Sequence, residues 1–81
     1  MLTDITRLKS VGPNVIIHDL AKLIKPEVID IGEGTQINDF TYIFGGGGIR
    51  LGRFNHIDSF VSITGAGRVF TGDFVGLSPG C

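Results

Sequence analysis

The chain has 81 residues, seven basic and eight acidic, with a formal net charge of −1. That is room for one domain, and a balance so near neutral offers no electrostatic attraction to nucleic acid or to an anionic membrane. No run of eighteen apolar residues is present for membrane insertion, and residues 1–10, MLTDITRLKS, lack a signal peptide's apolar core. A single cysteine, Cys81, cannot form an internal disulfide and fits a reducing compartment, so a cytoplasmic protein is expected.

After an N-terminal cap segment, residues 1–10, the chain repeats itself every twenty residues. VGPNVIIHDLAKL begins at Val11, IGEGTQINDFTYI at Ile31, LGRFNHIDSFVSI at Leu51 and TGDFVGLSPGC at Thr71. Self-similarity at a fixed period identifies a stacked repeat before any single element is assigned. An aliphatic column runs through Val11, Ile17, Leu23, Ile29, Ile31, Ile37, Ile43, Ile49, Leu51, Ile57, Ile63, Val69 and Leu77, broken only by Thr71. Gly12, Gly32, Gly52 and Gly72 form a second column. Val15, Ala21, Thr35, Thr41, Asn55, Val61, Val75 and Cys81 form a third, nearly all small.

Within each block the aliphatic positions step by six, and the third hexad carries two extra residues. Residues two apart on a strand share a face, so each small residue and the aliphatic two places on point inward together. Coils 11–30, 31–50 and 51–70 and a partial coil 71–81 are therefore each expected to wind through short strands, stacked about 4.8 Å apart in register. A period of six keeps no stripe on a 3.6-residue screw, and β-branched residues and thirteen glycines disfavour helix. The added pair always falls at one corner, in IKPEVI, FGGGGI and TGAGRV, where a solenoid tolerates insertions. The run Gly45 to Gly48 lacks the Gly-Lys-Ser/Thr of a phosphate loop, so it is read as a tight turn.

These hexads resemble those of the hexapeptide-repeat acyltransferases. VGPNVI, IGEGTQ, INDFTY, LGRFNH, IDSFVS and TGDFVG carry the aliphatic, glycine and small-residue positions, and residues 11–81 are covered. The resemblance implies an all-β fold, a left-handed parallel β-helix of about three and a half coils. IGEGTQINDFTYI, LGRFNHIDSFVSI and FTGDFVGLSPGC look most like members that acetylate sugars of surface polysaccharides. Acetyl-CoA as co-substrate, lying between neighbouring subunits, and a homotrimer are implied with it. A histidine in a phrase like NHI recurs near the acyl-transfer site, which carries the base role to His56, with Asn55 beside it.

From the residues themselves, acyl transfer to a hydroxyl needs a base and donors for the oxyanion. Only His18 and His56 supply an imidazole. His56 and Asp58 flank inward Ile57 and so point outward together, with Gln36 beneath His56, Asn38 beneath Asp58 and Asp39 alongside. A solvated imidazole in a polar ladder is the competing reading of His56. Asn55 occupies the inward column, where an amide needs hydrogen bonds, and Cys81 is read as inward packing rather than as a nucleophile. A metal is not expected, since a shared zinc site would need about three histidines.

Phe40 and Phe60 stack above Leu20, and Phe54 below Phe74, either beneath loops or as a subunit contact. Two functions stand: a sugar O-acetyltransferase using acetyl-CoA, and a catalytically incomplete β-helix module that binds or assembles.

Overall fold

The computed structural model describes residues 5–81, so residues 1–4 of the expected cap lie outside the described residues. Short parallel strands follow the repeat. The first coil holds β1 (Ser10–Val11), β2 (Ile16–Ile17) and β3 (Lys22–Ile24), and the second β4 (Ile29–Ile31), β5 (Gln36–Ile37) and β6 (Tyr42–Phe44). The third holds β7 (Ile49–Leu51), β8 (His56–Ile57) and β9 (Ser62–Ile63), followed by β10 (Val69–Phe70) and β11 (Gly76–Leu77). They form three walls: β1-β4-β7-β10, β2-β5-β8-β11 and β3-β6-β9. All pairings are parallel with a twenty-residue offset, as in Ile17↔Ile37↔Ile57↔Leu77. The protein is a parallel β-solenoid of about three turns with the expected period. Its only helical pieces among the described residues are two 3₁₀ turns, Ile5–Arg7 and Pro26–Val28. None is long or apolar enough to cross a membrane.

The core is the inside of this prism. Ile29, Ile31, Ile37, Ile43, Ile49, Leu51 and Ile57 are buried, with Ala21, Thr35, Thr41, Asn55 and Val61 between them. Alternation puts one residue in and the next out along each strand, and the small column leaves room for the branched side chains from the other walls. Burial weakens at both ends. Val11 at the bottom is 46% exposed, and Ile63, Val69 and Leu77 at the top are only partly covered. Cys81 stands in its expected column, its carbonyl accepting from the Ser62 N–H at 2.9 Å. Its side chain is nevertheless exposed rather than packed inward, because no coil lies over it among the described residues.

The corners follow the inserted pairs. Pro26–Val28 makes a 3₁₀ turn, and directly above it the glycine run closes a tight turn through Gly48 N–H to Gly45 C=O at 2.8 Å. The glycine column has a different cause. A Cβ on Gly32 would come within 2.6 Å of the Gly52 backbone in the coil above, so these positions keep neighbouring coils at strand spacing.

The remaining corners hold a feature the sequence did not announce. Phe40, Phe54, Phe60 and Phe74 all have φ between 55° and 62°, the left-handed region that glycine or asparagine occupies more readily. Asn14 and Gly34 stand in the same column as Phe54 and Phe74, and Gly80 in that of Phe40 and Phe60. The stacking is as expected: Phe40 lies 5.5 Å from Phe60 and Phe54 5.4 Å from Phe74, nearly parallel. Phe54 also packs over the bare backbone of Gly34, where a Cβ would collide with the ring. Beside it Arg53 donates from backbone and guanidinium to Asp73, which holds that carboxyl below its ordinary range.

Ile57 is fully buried at mid-stack. Ile57→Ala is expected to cost about 2–5 kcal/mol in urea denaturation. Ile57→Asp should abolish folding, because a carboxylate would be stranded among aliphatic groups; a melting temperature left unchanged would refute the stacking register.

Candidate functional site

The second wall, β2-β5-β8-β11, carries the polar side chains. Because Ile17, Ile37 and Ile57 point inward, their neighbours point outward in two columns. One is Ile16, Gln36, His56, Gly76 and the other His18, Asn38, Asp58, Ser78. The two phenylalanine ladders stand at the corners on either side of this wall, six residues apart along each coil.

Two amides tie the wall together. Gln36 Nε2 lies 3.2 Å from His18 Nε2 and donates to Asn38 Oδ1 at 3.1 Å. Asn38 Nδ2 lies 3.2 Å from His56 Nε2 and donates to Asp58 Oδ1 at 3.0 Å. An amide N–H facing an imidazole nitrogen donates to it where that nitrogen carries a lone pair. Asp58 Oδ1 is 3.8 Å from His56 Nε2, within reach of an imidazolium. His56 is exposed, and Asp58 is half-buried. The wall thus offers a solvent-accessible base with a carboxylate beside it, and Gln36 and Asn38 lie beneath as expected.

Other expected neighbours are placed elsewhere. Asp39 accepts the Leu20 backbone N–H at 2.9 Å and braces the corner below rather than an imidazole. Asn55 points into the core, 1% exposed. Its amide donates to Arg53 C=O at 3.0 Å and Gly72 C=O at 2.8 Å, and its carbonyl accepts from the Thr71 hydroxyl. Its backbone N–H donates to Thr35 Oγ1 at 3.2 Å. The one polar residue in the aliphatic column therefore meets the one amide in the small column. Thr71 Oγ1 also accepts the Gly52 N–H at 3.1 Å, where the coil below uses the Leu51 carbonyl to accept from Gly32. Sequence reading found the two lapses separately, and the structure is what pairs them.

Among the described residues no three metal-ligating side chains converge. The surface beside Asn38 is a shallow hollow between His18, Gln36, Asp39 and Ser59. No family model, curated protein or solved structure matches this chain.

Asn55→Val should destabilise the fold by about 1–3 kcal/mol, since the Thr71 hydroxyl and Gly72 carbonyl lose their partner. Adding Thr71→Ile restores both columns and is expected to recover most of that loss in a double-mutant cycle. Strictly additive losses would contradict the pairing.

Proposed function

We propose that this chain is the solenoid of an acyltransferase, moving an acetyl group from acetyl-CoA to a sugar hydroxyl at the His56 wall. The observation that carries the reading is the exposed His56 imidazole, with Nε2 held by Asn38 and Asp58 3.8 Å away. The repeat's resemblance to the left-handed β-helix acetyltransferases supplies the substrate class and the cytoplasmic setting.

In this reading the acceptor hydroxyl displaces the Asn38 amide from His56 Nε2 and attacks the thioester carbonyl while Nε2 takes its proton. Asp58 then offsets the charge of the imidazolium. Collapse of the tetrahedral intermediate breaks the carbon–sulfur bond, the imidazolium returns the proton to sulfur, and acetylated sugar and CoA leave. Both amide hydrogens of Asn38 are engaged before the acceptor arrives. Oxyanion donors from a second copy set against this wall would complete the site in the trimer that the resemblance implies.

His56→Ala should leave folding and acetyl-CoA affinity unchanged and lower turnover by about 10²–10⁴-fold. CoA release equal in the two proteins would sink the assignment.

The exposed phenylalanine ladders favour a second reading, in which the chain is an assembly module without catalysis of its own. Phe60 and Phe74 are 66% and 77% exposed, and each sits in a strained backbone conformation that costs about 1–2 kcal/mol. Phe60→Asn and Phe74→Asn should relieve that strain while weakening self-association in sedimentation equilibrium. A chain that stays monomeric across a hundredfold dilution (roughly 2.7 kcal/mol of mass action) would count against both the trimer and the module.

A further inference from the structure

The first wall carries a second polar feature, away from His56. Inward Ile29, Ile49 and Val69 leave Asp30, Arg50 and Phe70 pointing outward in one column, and Val28, Gly48 and Arg68 in the column beside it. Together with Lys9 they line a groove of about 500 Å³. Gly48 makes the hollow. A Cβ there would meet only the Val28 carbonyl, 4.0 Å off, so the missing side chain leaves open space beneath Arg68 and beside Arg50.

The charges in this groove are uneven. The chain has four arginines. Arg7 pairs with Glu27 and Arg53 with Asp73. Arg50 and Arg68 have no carboxylate partner among the described residues, and both line this groove. The only carboxylate lining it, Asp30, is engaged by Ser10 Oγ at 2.6 Å and Lys9 Nζ at 3.7 Å. Arg68 stands level with Gly48, two places before the level of Arg50, and both arginines line the same groove. Two cationic groups sharing one groove repel. Phe70, 68% exposed, rises directly above Arg50. The backbone amides of Gly47 and Gly48 are taken by Gly67 and Gly45 carbonyls, so the glycine run contributes space rather than donors.

We infer that this groove binds an organic diphosphate, its phosphoryl oxygens held by Arg50 and Arg68 and its apolar portion laid on Phe70. Guanidinium forks match phosphoryl oxygens in bidentate geometry, and a dianionic group relieves the repulsion between them. An exposed ring at the rim selects a phosphate attached to an apolar or planar body over the free ion. The site lies on a different wall from His56 and stands independently of acetyl transfer.

Calorimetric titration of the whole chain with inorganic pyrophosphate, ADP and geranyl diphosphate tests this. One of the two organic ligands should bind more tightly than pyrophosphate, and which one does so distinguishes a nucleotide from a prenyl source. Arg50→Gln and Arg68→Gln should each weaken that ligand about 10-fold or more, the loss of one charge-assisted contact. Phe70→Ser should weaken the organic ligand and leave pyrophosphate unchanged. Arg53→Gln, which removes a charge already paired with Asp73, should change nothing, and circular dichroism checks that each variant is folded. The inference is overturned by no saturable binding at millimolar ligand, by pyrophosphate binding as tightly as both organic ligands, or by Arg53→Gln weakening binding as much as Arg50→Gln.

Discussion

The structure depends on one constraint: each coil must hydrogen-bond to the next in parallel, with every residue standing under the one twenty places later. Gly12 to Ile31, Gln36 to Asn55 and His56 to Val75 are three instances of the same bond at 2.8–2.9 Å. A strand spacing near 4.8 Å brings each buried side chain into contact with the one above it. Aliphatic therefore stacks on aliphatic inside, phenylalanine on phenylalanine at two corners, and glycine on glycine where a Cβ would strike the coil above. The inserted pairs obey the same rule, since a turn of four residues recurs at one corner and leaves the flanking strands paired.

Departures from the columns are where the chain does something specific. Thr71 and Asn55 each break a column, and the hydroxyl of one satisfies the amide of the other, so a part-buried polar pair replaces apolar packing without an orphaned group. On the outer faces the register collects side chains for other purposes. Stacked amides meet the His18 and His56 imidazoles on the second wall. On the first wall the absence of a side chain at Gly48 opens a groove under two arginines without carboxylate partners. A rigid stack holds such groups in fixed relative positions without any loop to order first.

Much of this was legible in the sequence because a twenty-residue period converts residue number directly into position. The inward residues, the Phe40/Phe60 and Phe54/Phe74 pairs and the placement of Gln36 and Asn38 beneath His56 and Asp58 all follow from that arithmetic. What escaped it depends on backbone angle or on the ends of the stack. Asn14, Gly34 and Gly80 mark these corners as left-handed, but phenylalanine itself carries no such sign. Val11 and Cys81 sit in inward columns yet are exposed, because a column says what a residue points toward and not whether a coil covers it. The groove escaped as well, since the period sets Gly48 level with Arg68 but does not show that the space left there stays open.

Both surface readings rest on the register, so the register is what most needs a direct measurement. Trans-hydrogen-bond scalar couplings between amide nitrogen and carbonyl carbon report donor and acceptor residue by residue. The account predicts couplings from Gln36 to Asn55, from Asn38 to Ile57 and from His56 to Val75, the pairs bonded at 2.9–3.0 Å. Couplings displaced by even one residue would turn Ile37 and Ile57 outward, dissolve both the His56 wall and the Arg50–Arg68 groove, and contradict the account.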